Sequence, residues 1–361
     1  MRRLVYGTWV GALLVGGAVV AVKGARPAAA PAMQAAAAPS PSSLFELTKV
    51  ADGVYAALAT PRTPINCNAA VVVYGDGVLV VDTHSRPSSA VALIEQIKAV
   101  TDQPVRYAVN THFHWDHAQG NRAYPVAFPK QVAIVASEAT RENLRTMGAQ
   151  RIKDQLASTP GEIAALDARL SKASDPAEQA RLRDQLTQQR DYLQELKTLE
   201  VTLPDLTFDK TLVLHRGDRR IVLMFLGRGH TSGDVVVYLP KERVVATGDL
   251  LHGWMPYMAD SFPPEWVATL DALDKLEFDH IIGGHGGVLP RTRLRFFRNY
   301  LNDLIGEVRR ARGRKESLEQ ATASVAAALK PAYDAGMGGE FAGSIGANVE
   351  KVYRDLEAKK Y

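Results

Sequence analysis

Seven consecutive residues, Thr111-His112-Phe113-His114-Trp115-Asp116-His117, place three imidazoles and one carboxylate directly after an apolar segment ending at Asn110. Imidazole nitrogen and carboxylate oxygen are the ligands that a borderline cation such as Zn²⁺ takes, at about 2.0–2.2 Å. On an extended turn His112 and His114 fall on the same side and can grip one cation. Asp116 and His117, a step further on, face a neighbouring position, so this one loop can begin two metal sites. The only cysteine, Cys67, excludes an intramolecular disulfide and a Cys-rich zinc site. Any metal must therefore be held by His and carboxylate. Cys67 lies outside the ligand motif and reads as a buried thiol.

Further along come Gly229-His230-Thr231-Ser232-Gly233-Asp234, Thr247-Gly248-Asp249 and Gly283-Gly284-His285-Gly286, with Val80-Val81-Asp82-Thr83 upstream. In this order, and together with His112 to His117, these motifs resemble the metallo-β-lactamase superfamily of hydrolases. The resemblance covers about residues 51–288, apart from one polar stretch, and implies a four-layered αβ/βα sandwich. It also implies that His230 completes the first site with His112 and His114, that His285 completes the second with Asp116 and His117, and that Asp249 bridges the two. Asp82 would support the metal loop from behind. Each of these residues falls at a strand end or in a glycine-rich turn, where backbone can hold a ligand against a cleft. His84, His215, His252 and His280 lie outside the motifs and read as surface, core or supporting residues, with His252 and His84 the two nearest the site in sequence.

Two bound cations about 3.5–4 Å apart lower the pKa of a shared water, so hydroxide is available without a side-chain base. The expected reaction is attack of that metal-bound hydroxide on a carbonyl polarised at the His112/His114/His230 site. The other cation stabilises the developing anion or leaving group, with Asp116 as proton donor. The resemblance implies two Zn²⁺ and a small-molecule ester, thioester, lactone or amide substrate. Two alternatives stay open: β-lactamase activity proper, and a mononuclear iron persulfide dioxygenase. Lactamases of the superfamily usually carry Cys or Ser where this chain has Asp249, whereas glyoxalase II-like thioesterases and lactonases carry Asp. Phe113 and Trp115 are expected to brace the loop. Leu250 to Phe262, rich in Met and aromatic residues, suits either a pocket wall or ordinary packing, and Tyr257 within it could donate to an oxyanion.

The elements that must position these residues follow from periodicity. Val54–Leu58, Ala69–Tyr74, Val78–Asp82, Arg106–Asn110 and Val132–Val135 read as strands, with a helix over Pro87 to Val100. From about Glu138 to Glu200 the chain turns polar and helix-forming, restarting at Ser174-Asp175-Pro176, which predicts an inserted helical hairpin. This hairpin is expected either to lid the cleft or to be an appendage. Leu212–Leu214, Ile221–Leu226, Val235–Leu239, Val244–Ala246 and His280–Ile282 read as further strands, with a helix near Pro264–Leu276. The tail from Thr292 is helical, interrupted at glycines 336, 338, 339, 343 and 346. The domain reading is an export or anchor segment with tether over 1–43, a catalytic domain over 44–290 with the insertion at 138–200, and a helical extension over 291–361.

Met1-Arg2-Arg3, an uncharged run from Leu4 to Val22 and small residues from Ala28 to Ala38 form the three parts of an export signal. The protein is expected to be exported, periplasmic or secreted; residues 4–22 are also long enough for an uncleaved membrane anchor. Four of the 43 basic residues precede Glu46, so the chain from residue 44 balances 39 basic against 39 acidic side chains. A neutral body with no basic run argues against a nucleic-acid partner.

Overall fold

The computed structural model describes residues 44–60 and 66–358. The export-signal segment therefore lies outside the described residues. Strands β1 (Phe45–Ala51), β2 (Val54–Ala59), β3 (Ala69–Tyr74) and β4 (Gly77–Val81) form an antiparallel run. Helix α1 (Pro87–Lys98) then crosses to β5 (Val105–Val109), which pairs parallel with β4. The short helices α2 (Trp115–Ala118) and α3 (Ala123–Ala127) lead to β6 (Ala133–Ser137). The inserted helices α4 (Glu138–Asn143), α5 (Ala149–Lys172) and α6 (Pro176–Leu196) precede β7 (Leu206–Phe208), which closes a seven-stranded sheet in the order β1 to β7.

The second sheet has six strands. These are β8 (Thr211–Arg216), β9 (Arg219–Phe225), β10 (Val235–Leu239), β11 (Val244–Gly248), β12 (His280–Gly283) and β13 (Leu289–Pro290), in the order β13-β12-β11-β10-β9-β8. Helix α7 (Pro263–Leu273) links β11 to β12, and α8 (Thr292–Gly313), α9 (Leu318–Tyr333) and α10 (Phe341–Glu357) follow. Because side chains alternate along a strand, each sheet has two faces to bury. Val72, Leu79, Val81 and Val109 of one sheet meet Leu223, Val235, Val237 and Ala246 of the other in a shared core. On the outer side of the first sheet Val71, Val78 and Val80 pack on Leu93, Ile94 and Ile97 of α1. On the outer side of the second, Val236, Val245 and Ile281 join Trp266 of α7 and Phe297, Tyr300 and Leu301 of α8. The result is the four-layered αβ/βα sandwich.

Three elements depart from the sequence reading. The metal loop is not extended throughout: Trp115–Ala118 is a short helix. Strand β1 was not foreseen; six of its seven residues are partly or fully exposed, so its apolar periodicity is weak. Gly343 and Gly346 do not interrupt the tail but lie inside α10, which forms because Phe341, Ile345, Val349 and Val352 supply a buried stripe outweighing the cost of about 1 kcal/mol per helical glycine.

The topology sets the site. β4 and β5 run parallel, as do β11 and β12, so their C-terminal ends lie together at the sheet edges. The β9–β10 loop joins that edge because β10 runs antiparallel to both neighbours. Two links cross between the sheets there: the Val235 N–H donates to the Thr111 carbonyl (2.7 Å), and the Asn68 N–H donates to the Gly284 carbonyl (2.7 Å).

Candidate metal centre

Asp82, at the end of β4, sits in the left-handed region (φ 67°), as does His84 (φ 70°). Such backbone costs of order 1–3 kcal/mol for a non-glycine residue and persists only where surroundings hold it. Here Asp82 accepts hydrogen bonds from the Thr111 N–H (2.8 Å), the Thr111 hydroxyl (2.9 Å) and His117 Nδ1–H (2.7 Å). The loop after β5 is thereby fixed to the end of β4. His112 Nδ1 lies 3.0 Å from the Thr111 hydroxyl, which leaves Nε2 turned into the cleft. The Thr83 N–H and hydroxyl both donate to the His117 carbonyl. A Cβ at Gly120 would stand 1.8 Å from the Thr83 carbonyl oxygen, so glycine permits this close approach.

The His230 loop closes on Asp234, which accepts from the Thr231 N–H and hydroxyl. Burial pushes the Asp234 carboxyl up to about 7 despite those donors. The same loop is tied to the insertion, since the Ser137 and Thr140 hydroxyls both donate to the Gly233 carbonyl. Asp249 follows Gly248, whose φ of 50° suits glycine, and a Cβ at Gly284 would stand 2.1 Å from Asp249 Oδ1.

These turns gather the expected residues into two groups. Donor atoms of His112, His114, His230 and Asp249 lie within 4.8 Å of one another, as do those of Asp116, His117 and His285. Asp249 stands between them: Oδ2 is 3.6 Å from His230 Nε2 and 3.4 Å from His285 Nε2, while Oδ1 is 3.4 Å from His117 Nε2. Asp116 Oδ2 lies 3.3 Å from His285 Nε2. Among the described residues, His112 Nε2, His117 Nε2 and Asp249 Oδ1 are buried with no hydrogen-bond partner. His230 Nε2 and His114 Nδ1 face one another at 2.9 Å. Buried polar atoms left in this way cost free energy, and divalent cations at the two foci would satisfy all of them. The residues fit a metal centre.

The electrostatics divide along the same line. Burial, reinforced by neighbouring imidazoles, holds His112 and His230 well below the ordinary histidine range. Burial also opposes charge on His117 and His285. At His285 the carboxylates of Asp249 and Asp116 outweigh it and lift the imidazole to about 9; at His117 Cys67 first, then Asp249, Asp116 and Asp82, lift the imidazole well above its usual value. Asp249 and Asp116 are held low against their burial by those same imidazoles.

Residues outside the motifs also settle. Cys67 is fully buried with Sγ 3.5 Å from His84 Nδ1, in the loop before β3, and its thiol is pushed up to about 12 by burial. His84 and His252 are both buried; His252 Nδ1 accepts the Trp254 N–H (3.2 Å). His215 and His280 are exposed. Phe113 is buried as expected, whereas Trp115 is half-buried and leans on Tyr192 of α6, their rings 5.9 Å apart, at a cavity of about 220 Å³. Within Leu250 to Phe262 the two readings divide. Met255 and Met258 pack in the helical core, while Trp254 stacks on His285 (4.7 Å) and the half-exposed Tyr257 stands edge-on to His114 (5.6 Å). Two residues were missed. Asp260 Oδ2 accepts from His114 Nε2–H (2.8 Å) and from Arg151 of α5 (2.5 Å). The one clue to Asp260 was a carboxylate near the end of an otherwise aromatic and Met-rich stretch; Arg151 gave none among the many charges of the insertion.

A family model described as the metallo-beta-lactamase superfamily matches residues 62–285. A linear primary-alkylsulfatase from Pseudomonas sp. (strain ATCC 19151) is 24% identical over 221 residues, 58% of this chain. The chain spans about 40% of that relative's length. Among solved structures, a metallo-β-lactamase from Pontibacter korlensis superposes with TM-score 0.52 at 20% identity, over 72% of this chain and 99% of that one. The FIM-1 metallo-β-lactamase of Pseudomonas aeruginosa, in its mono-zinc form, gives 0.50 at 19% identity over 72% and 95%. At these identities the structural likeness speaks for the fold alone.

Proposed function

The chain belongs to the metallo-β-lactamase superfamily; from that premise we propose that it is a metal-dependent hydrolase that binds two Zn²⁺ and hydrolyses an ester, thioester, lactone or amide bond of a small molecule. The observation that carries this reading is Asp249, whose two oxygens face His230 and His285 on one side and His117 on the other. When bound, the zinc ions supply Lewis acidity and lower the pKa of water towards neutrality.

His112, His114 and His230 would hold one ion, and Asp116, His117 and His285 the other. Asp249 lies between the two groups and would fix their spacing. Asp82 orients His117 through Nδ1, leaving Nε2 as its donor atom. Asp116, only 6% exposed at the cleft surface, is placed to pass a proton to the leaving group. Trp254 and Tyr257 border the cleft and would screen the substrate from water.

The alkylsulfatase similarity adds a sulfate ester to the candidate substrates. The test is metal analysis of purified protein, followed by parallel assay of the zinc-loaded form on a thioester, a lactone, a β-lactam, a phosphodiester and an alkyl sulfate. Close to two zinc ions per chain, with activity lost to chelators and restored by Zn²⁺, is the expected result. One tightly held iron with oxygenation of a persulfide would replace this reading with the dioxygenase. We further propose export through residues 1–43, so that mature protein lacks about the first 38 residues or is held by them at a membrane. Among the described residues no helix is long and apolar enough to cross one.

A further inference from the structure

We propose that Arg151, carried on the inserted helix α5, is a positioning residue for the metal centre, acting on His114 through Asp260. The inference rests on the metal-centre reading given above. His114 has two ring nitrogens, and only one can face His230. Its Nε2–H donates to Asp260 Oδ2 at 2.8 Å, which leaves Nδ1 to stand 2.9 Å from His230 Nε2. A carboxylate hydrogen-bonded to a ligand imidazole fixes both the tautomer and the ring angle.

Asp260 is itself held from the insertion. Arg151 donates to the same Oδ2 at 2.5 Å, and its guanidinium lies 4.9 Å above the ring of Phe113, the residue between His112 and His114. The arginine therefore reaches the metal loop twice, by charge through Asp260 to His114 and directly at Phe113 by stacking. The rest of the hairpin grips the same loop. Gln119 donates to Gln155 of α5 (2.9 Å), and the Tyr192 hydroxyl of α6 donates to Gln119 (2.9 Å). The insertion is thus built into the scaffold of the metal centre, and Arg151 is the side chain by which it reaches a metal-facing imidazole.

The test is zinc affinity by chelator competition, together with the visible spectrum of the Co²⁺-substituted protein, for wild type and for R151M, R151K and D260A. R151M keeps the stem over Phe113 and removes the charge. It is expected to weaken one of the two ions about 10–100-fold, leave the other near wild type and shift the Co²⁺ bands. R151K restores the charge without the planar fork and should recover part of the loss. The double variant R151M/D260A should be no weaker than D260A alone, because both remove one link. R151Q serves the same purpose if R151M folds poorly. An arginine with a merely structural role would lower the melting temperature without separating the two affinities. Folded R151M or R151Q with wild-type affinity for both ions overturns the proposal alone, whereas a wild-type protein that binds no divalent metal overturns the metal-centre reading and this proposal with it.

Discussion

Asp249 and Asp82 are both buried carboxylates beside His117, yet their surroundings assign them different work. Asp82 has three donors of its own, which hold its strained backbone in place, and it touches one imidazole from behind. Asp249 keeps Oδ1 without a partner among the described residues and faces three imidazoles. Asp249→Ala is therefore expected to reduce the content of both metals and to cost activity far beyond the roughly 10–100-fold expected of Asp82→Ala. Near-normal turnover and metal content in Asp249→Ala would break the two-ion assignment. A second prediction concerns protons. In the metal-free protein His117 and His285 are raised above the ordinary histidine value, and His285, at about 9, carries a proton at neutral pH. A raised folded-state pKa contributes stability that is full below the unfolded value of about 6.5 and lost as pH climbs through about 9. Metal must displace these protons. Zinc titration at pH 7 in a weakly buffered indicator solution should release protons, and apparent affinity should rise with pH up to about 9. Uptake without proton release would show those imidazoles neutral.

The insertion is the element whose meaning changed most between sequence and fold. Its helices were legible: α4 begins at Glu138 with Ser137 capping Thr140, and α6 starts at Pro176 with Asp175 capping Glu178. Its charge pattern suggests one buried stripe and one wet face, which suits a lid or an appendage equally. The contacts of Arg151, Gln155 and Tyr192 give it a structural bearing on the metal loop, and Ser137 and Thr140 give it another on the His230 loop. Replacing residues 149–196 by a short Gly/Ser linker removes the first set together. The expected outcome is a folded protein with reduced metal content, together with kcat/KM changed unequally for large and small substrates, since Trp115 loses Tyr192 at the neighbouring cavity. Full metal content and equal kinetics for both substrate sizes would return the hairpin to an appendage.

For the molecule as a whole, the C-terminal helices share a core with the second sheet. Phe297, Tyr300, Leu301, Leu304 and Val308 of α8 pack with Trp266 of α7 and with Val236, Val245 and Ile281. Each large apolar side chain kept from water contributes about 1.5–3 kcal/mol. A chain ending at Pro290 should bare this face and be recovered aggregated or strongly dye-binding, whatever metal is supplied; a soluble, cooperatively melting 1–290 protein would refute that. Much of the plan was legible beforehand, because alternation along Val235–Leu239 and glycine-bounded histidines are local patterns, set by burial and backbone freedom over a few residues. The strands and the helical insertion follow from such signals, and the ordered motifs carry the resemblance that implied the superfamily and its four-layered sandwich. Asp260 and Arg151 left no such signal. They lie 109 residues apart, and His114 lies 146 from Asp260, so their meeting depends on how β5, α5 and the loop after β11 pack at one edge. Sequence by itself determined most of the elements and which side chains carry donor atoms. Only the tertiary structure decided which donors face each other and what holds them, because local periodicity records burial and contains no term for contacts between distant segments.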